Sequence, residues 1–267
     1  MRPYLFDRLD DAAPVVNRRP LGVFLDFDGT LAPMAPTPDT ARIDPDCKES
    51  LALLAPRIAL AAVVSGRRAD EIHRLVGIDG VVCSGNHGLE RWQDGSVALR
   101  PEAAAAQESI TRVRREVEAV AVKHNVYVED KGPIVAFHYR PAPDRERARQ
   151  ALLRELEPRA REHGLTLYEG IALIELRPRL PLSKGTAVRE LATEHRLTAA
   201  VFLGDDMTDL DAFAALKTLA CEQGVAVLCV AVAHGETPRE VLDAADYVVR
   251  GVADVARALR WMATAAE

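Results

Sequence analysis

The chain has 267 residues, 48% of them hydrophobic and 28% charged, with a formal charge of −6; that length accommodates a core plus a smaller second unit, and the acidic balance argues against general nucleic-acid binding while leaving room for a local anion site. No apolar run approaches the roughly 20 residues that a membrane span needs, and the opening Met1-Arg2-Pro3-Tyr4-Leu5-Phe6-Asp7-Arg8 lacks the continuous apolar stretch of a secretory signal. Cys47, Cys83, Cys221 and Cys229 fall in apolar or helical stretches without metal-type spacing, so a soluble cytoplasmic protein with reduced thiols is expected.

The first strand-like run, Leu21-Gly22-Val23-Phe24-Leu25, ends in Asp26-Phe27-Asp28-Gly29-Thr30. Strand alternation sends Asp26 and Asp28 to one side and Phe27 to the other, while Gly29 and Thr30 let the backbone turn away beyond the carboxyl end of the strand. Two carboxylates that close call for a cation or a shared proton. Taken alone, the same letters could mark only a strand followed by a turn. A second run, Leu60-Ala61-Ala62-Val63-Val64, is followed by Ser65-Gly66-Arg67 and a helix-like stretch over 68–76. Ser65 either caps that helix, the simpler expectation, or offers its hydroxyl and nearby backbone N–H groups to a phosphate. The alternation of strand and helix up to about Leu99 predicts a parallel α/β sheet.

From about Glu102 the pattern changes. A helix is expected over 103–122, with Ile110, Val113, Val117 and Val120 on one face. Two strand-like runs over 126–129 and 134–139 follow, joined by the turn-type sequence Asp130-Lys131-Gly132-Pro133. A second helix over 143–163 and a second strand pair over 166–169 and 172–176 repeat the form, without a clear sequence repeat. Pro178 and Pro181 mark the exit. The expected division is a split core, 1–101 and 179–267, with an inserted α+β unit over 102–178.

Ser183-Lys184-Gly185-Thr186 then opens a helix, putting Lys184 in a first turn where the backbone dipole disfavours a cation unless an anion is near. By itself Lys184 could equally be a solvated surface lysine. Ala200-Val201-Phe202-Leu203 is a third apolar strand, and Gly204-Asp205-Asp206-Met207-Thr208-Asp209 at its end places three carboxylates in five residues. Such hard oxygen donors suit Mg²⁺ better than a soft metal. A helix N-terminus decorated with acids would explain Asp209, but not a matching acidic pair on the first strand.

In order, Asp-x-Asp-Gly-Thr, Ser-Gly-Arg, Ser-Lys-Gly and Gly-Asp-Asp-x-Thr-Asp resemble the four motifs of the haloacid dehalogenase-like phosphatase superfamily. The resemblance implies a Rossmann-like parallel-sheet core carrying an inserted cap. It makes Asp26 the nucleophile, Asp28 the general acid and base, and Lys184 the cation that neutralises the transferring group and holds Asp26. It also implies Mg²⁺ held by Asp26, Asp205 and the Asp28 carbonyl, with Asp206 and Asp209 either touching the metal or orienting its ligands, and phosphate contacts from Ser65, Gly66 and Arg67.

Further segments, Thr30-Leu31-Ala32-Pro33, Gly85-Asn86-His87-Gly88-Leu89-Glu90, Glu129-Asp130-Lys131-Gly132, His138-Tyr139-Arg140, Glu169-Gly170 and Glu175-Leu176-Arg177-Pro178, are similar to the trehalose-6-phosphate phosphatase family over about 23–215. That resemblance implies hydrolysis of trehalose 6-phosphate through an aspartyl-phosphate, with Glu129, Lys131, Arg140 and Glu175 gripping the sugar and its phosphate. A disaccharide's many hydroxyls do call for such donors and acceptors, although on pattern alone these charges read as a solvated strand edge. Asn86 and His87, in a glycine-flanked loop, either face the phosphate or shape a turn. Leu210 departs from the family, which usually carries an acid there. A phosphatase of another sugar phosphate, such as sucrose 6-phosphate or mannosyl-3-phosphoglycerate, and a non-catalytic sugar-phosphate sensor are the alternatives. The expected partner is the small-molecule substrate alone, with no nucleic acid and no membrane, acting on a monomer.

Overall fold

The computed structural model describes residues 2–35, 38–170 and 172–266; the limits 1 and 267 drawn for the core lie outside them. In chain order the elements are α1 Leu9–Val16, β1 Leu21–Leu25, α2 Pro45–Leu54, β2 Leu60–Val64, α3 Ala69–Val76, β3 Val81–Gly85, β4 Glu90–Gln93 and β5 Ser96–Leu99. Then come α4 Pro101–Lys123, β6 Tyr127–Asp130, β7 Val135–His138, α5 Arg145–Glu162, β8 Leu165–Gly170 and β9 Leu173–Pro178. The chain closes with α6 Lys184–Glu194, β10 Ala199–Gly204, α7 Asp209–Gln223, β11 Ala226–Ala233, α8 Arg239–Ala244, β12 Tyr247–Arg250 and α9 Gly251–Ala265. Two compact units result, Met1–Ala98 with Leu182–Glu267, and Leu99–Pro181. The crossings drawn from sequence at 101/102 and 178/179 lie three residues from those limits at each end. No helix among the described residues is long and apolar enough to cross a membrane.

The first unit is built on a sheet of order β12-β11-β10-β1-β2-β3-β4-β5. From β12 to β3 every neighbour pair is parallel, and β4 runs antiparallel to β3. Near-continuous apolar strands of this kind are stable only when both faces are covered. The alternation along each strand divides accordingly. Val23, Leu25, Val63, Val201 and Val230 pack with residues of α1, α2, α3 and α9, whereas Phe24, Ala62, Phe202 and Ala231 pack with residues of α6, α7 and α8. The chain leaves β1 toward β2 and β3, and returns through α6 to pair β10 on the other side of β1, with Val23 opposite both Ala61 and Val201. The strand order therefore reverses at β1/β10. Crevices that receive ligands open at such a point, beyond the carboxyl ends of the strands.

The second unit carries an antiparallel sheet of order β6-β7-β9-β8. Its core joins Phe137, Ile174 and Leu176 of the sheet to Ile110, Val113 and Val117 of α4 and Leu152 and Leu156 of α5. Ala121, rather than the expected Val120, continues the buried stripe of α4. Spacing of three, four and four residues stays nearer the 3.6-residue period than the run ending at 120, and Val120 falls to the half-buried margin.

Phe202 is fully buried and meets the Phe213 ring edge-on at 5.8 Å. Truncating Phe202→Ala removes that packing and opens a cavity between the sheet and α7, so urea unfolding should show the variant less stable by about 3–5 kcal/mol.

Candidate active site

Asp26 lies one residue past β1 and still bonds to the neighbouring strand, its N–H donating to the Leu203 carbonyl at 3.0 Å. Lys184 is the first residue of α6, whose N-terminus is closed by a capping box between Ser183 and Thr186. That cap aims the Lys184 side chain, only 2% exposed, back at the strand ends. Its Nζ lies 2.9 Å from Asp26 Oδ1 and 2.7 Å from Asp209 Oδ1. Lys184 is thus buried rather than solvated, and the anion that the dipole argument asks for is supplied twice.

Asp209, fully buried at the start of α7, uses its other oxygen to accept the backbone N–H groups of Asp205 and Asp206, each at 2.9 Å. Asp205 is held at both oxygens. Thr30 Oγ1 donates to Oδ1 at 2.9 Å, and His234 Nε2 lies 2.9 Å from Oδ2. Two glycines make room for these acids. At Gly29, with φ +79°, a Cβ would run into the Asp205 carboxylate, and at Gly204 it would run into that of Asp209.

Ligand oxygens of Asp26, Asp205 and Asp209 all lie within 4.8 Å of one another. Three buried carboxylates against one ammonium leave an excess of negative charge. Burial is the largest cause that pushes the Asp26 pKa well up; the Lys184 charge opposes it, and the charges of Asp209 and Asp205 add to it. Burial likewise raises the Asp209 pKa. Burial would depress Lys184, but Asp209 and Asp26 outweigh it and hold its ammonium well above the ordinary range. His234 is raised, first by its hydrogen bond to Asp205. Hard oxygen donors, close spacing and surplus negative charge together fit a divalent cation. Asp206 stands outside this group, its carboxylate accepting from Met207 N–H at 2.7 Å and Thr208 Oγ1 at 3.3 Å.

Asp28 also has separate company. β1 stops at Leu25, so strand alternation no longer dictates where residue 28 points. Its carboxylate is gripped at both oxygens by Arg67, through Nε at 2.7 Å and a terminal nitrogen at 2.9 Å. Arg67 also pairs with Glu71 and lies 5.6 Å over the Phe27 ring. Burial would lower the Arg67 pKa, but Asp28 and Glu71 raise it. Ser65 does not cap α3. The cap position is Arg68, which makes no side-chain cap, and Glu90 supplies the acceptor to Ala69 N–H at 2.7 Å.

Instead Ser65 belongs to a stitched pair of loops. Its N–H donates to Ser84 and its carbonyl accepts from His87 N–H, both at 3.0 Å, while Asn86 N–H donates to the Arg67 carbonyl at 2.7 Å. Asn86 and His87 adopt left-handed backbone, φ +47° and +58°, and a Cβ on Gly66 would sit 2.8 Å from the His87 ring. The structure thus brings Ser65, Gly66, Arg67, Asn86 and His87 together. Glu71, Glu90 and His234 were not anticipated. His234 was legible in principle, since it ends the apolar run of β11 as the acid pairs end β1 and β10.

In the second unit, Glu129, Ala136, Glu175 and Tyr168 stand in register across β6, β7, β9 and β8, on the face opposite Val128, Phe137, Ile174 and Leu167, which pack against the helices. Lys131 Nζ donates to Glu175 Oε1 at 3.1 Å and lies 3.9 Å from Glu129 Oε2. His138 Nε2 is 2.9 Å from Glu129 Oε2, and Arg177 pairs with Glu175 while stacking 4.3 Å over Tyr168. Glu175 is 2% exposed, not a residue of a solvated edge. Arg140 is exposed in the turn after β7, where its carbonyl accepts from Arg145 Nε at 3.2 Å.

Lys184→Met leaves Asp26 and Asp209 buried without their counter-charge. Unfolding measured at pH 7 in the presence of a chelator should find about 3–5 kcal/mol of stability gone. Burial pulls Glu129 upward, but the His138 hydrogen bond and the Lys131 charge hold its pKa below the ordinary value. A carboxyl depressed by folding contributes stability above its unfolded value, and loses it as pH falls through the folded one. The stability difference between wild type and Glu129→Gln should therefore be present at neutral pH and vanish as the solution is acidified below the ordinary glutamate value of 4.5.

The trehalose-phosphatase family profile matches residues 24–244. The trehalose-phosphate phosphatase of Mycobacterium bovis (strain BCG / Pasteur 1173P2) is 36% identical over 219 residues, covering 79% of this chain and 55% of that protein; the chain spans about half the length of the curated relatives it matches. The C-terminal domain of the C. albicans trehalose-6-phosphate phosphatase superposes with a TM-score of 0.79 at 22% identity, covering 99% of this chain and 98% of the other. A trehalose-6-phosphate phosphatase related protein superposes at 0.74 with 24% identity, over 91% and 97%. These superpositions show that the chain shares the fold of those two structures. With its profile match spanning both strand-end acid clusters, the chain belongs to the trehalose-phosphatase family.

Proposed function

We propose that the chain hydrolyses trehalose 6-phosphate to trehalose and inorganic phosphate, by way of a phosphoryl group carried on Asp26. The observation that supports this most is the buried Lys184 ammonium between Asp26 and Asp209, at the point where strand order reverses. A carboxylate in that position remains available as a nucleophile while its charge is balanced, and the same ammonium offsets charge on the phosphoryl oxygens.

In the first step Asp26 forms a bond to phosphorus as the bond from phosphorus to the sugar oxygen breaks, and Asp28 gives that oxygen its proton. In the second, water attacks phosphorus, Asp28 takes the water's proton, and the bond to Asp26 breaks. Arg67, bound to both Asp28 oxygens, holds that carboxyl in place. Ser65, Gly66, Asn86 and His87 form the stitched loop pair that receives the phosphate. Asp26, Asp205 and the Asp28 carbonyl would hold Mg²⁺, which would supply the positive charge that three acids and a phosphate dianion lack. Asp209 and Asp206 orient the loop that bears Asp205. The unit drawn as 102–178 serves as the substrate-specificity cap, its Glu129, Lys131, Arg140 and Glu175 recognising the sugar, and 1–101 with 179–267 as the catalytic core. We place the enzyme in the cytoplasm as a monomer.

Phosphate release across a panel of sugar phosphates, with and without a chelator, tests the reading. Trehalose 6-phosphate should give the highest kcat/KM, chelator should abolish turnover, and Asp26→Asn should fold but release no phosphate. Comparable kcat/KM for sucrose 6-phosphate would remove the substrate assignment, and an active Asp26→Asn would remove the mechanism.

A further inference from the structure

Asp205 sits at the end of β10, between β1 on one side and β11 on the other. Each neighbouring strand end sends one group to it. Thr30, after β1, donates to Oδ1, and His234, directly after β11, reaches Oδ2. With one partner on each oxygen, the carboxylate cannot rotate about its bond to Cβ without losing a hydrogen bond.

The loop after β11 prepares the imidazole for this task. Its Nδ1 accepts the backbone N–H of Glu236 at 3.2 Å, so in the neutral ring the single proton stands on Nε2 and points to Asp205. The backbone of the same turn is latched through Thr237, whose Oγ1 accepts His234 N–H at 3.0 Å and donates to the Val232 carbonyl at 2.9 Å. Ring position and tautomer are thus both set by the turn, before any ligand arrives. Each Asp205 oxygen accepts one hydrogen bond and keeps lone-pair capacity toward Asp26 and Asp209.

We infer that His234 is a positioning residue of the divalent-cation site: through its Nε2–H it fixes the Asp205 carboxylate in the orientation that the cation requires. The inference rests on the reading above that Asp205 is a cation ligand. Partners that orient ligating carboxylates characteristically govern affinity by about 10–100-fold when removed.

The test is calorimetric titration of Mg²⁺ into substrate-free enzyme, for wild type, His234→Ala, His234→Phe and His234→Gln. Wild type should bind Mg²⁺ saturably, His234→Ala and His234→Phe about 10–100-fold more weakly, and His234→Gln, which restores an N–H donor, close to wild type. His234→Phe keeps the bulk of the ring and answers the question if the alanine variant does not fold. Unchanged affinity in the alanine and phenylalanine variants overturns the inference, as does a glutamine variant as weak as alanine, since the donor would then be irrelevant. A wild type with no saturable Mg²⁺ binding overturns the cation-site reading itself, and this inference with it.

Discussion

The buried ammonium of Lys184 is the constraint around which the first unit is arranged. Desolvating a lone charge of this kind is prohibitive unless partners of opposite sign are fixed beside it, and the first turn of a helix is an adverse place for a cation. Asp26 and Asp209 answer both difficulties at 2.9 and 2.7 Å. They can do so only because three separate pieces of chain end at the same place: the exit from β1, the capped start of α6, and the turn from β10 into α7. Asp209 then fixes the backbone of Asp205 and Asp206, so the charge pair also shapes the loop that carries the next acid.

Parallel strand order translates this local electrostatic requirement into an open site. Because β1 is central and its two neighbours come from distant parts of the chain, residues near 28, 65, 184, 205 and 234 come to the carboxyl end of one sheet. Glycine is required where backbone and carboxylate approach most closely, at 29 and 204. The second unit solves a different problem. Its sheet gives one face to α4 and α5 and lines the other with Glu129, Lys131, His138, Glu175 and Arg177, a paired row in which each charge has an opposite neighbour. A surface so rich in directed donors and acceptors suits a hydroxyl-rich ligand.

Much of this was legible in the letters, and the reasons it stopped where it did are physical. Apolar strands cut off by acids announce both the parallel sheet and its carboxyl edge, since strand period and turn residues are local properties. The burial of Lys184 was not local: nothing near Ser183-Lys184-Gly185 distinguishes a solvated lysine from one facing two acids brought in from 158 residues before (184 − 26) and 25 after (209 − 184). Of the two readings open for Ser65, the cap does not form, because the acceptor that closes α3 comes from Glu90, across a loop pairing that helix-start rules do not consider. The shift from Val120 to Ala121 shows the same limit in miniature, since both positions lie within helical spacing of Val117 and packing against the sheet selected the alanine. His234 escaped notice because a histidine after a strand is unremarkable until its ring is seen against Asp205.

The most direct measurement of the central claim is to quench Asp28→Asn in acid during its first turnover of p-nitrophenyl phosphate, whose leaving group needs no proton, and to map any phosphoryl group by peptide mass. The account predicts one nitrophenolate released per chain in the burst and the phosphoryl group on the peptide containing Asp26, stalled for want of a base to activate water. A phosphoryl group on any other residue, or turnover with none on the protein, would contradict it.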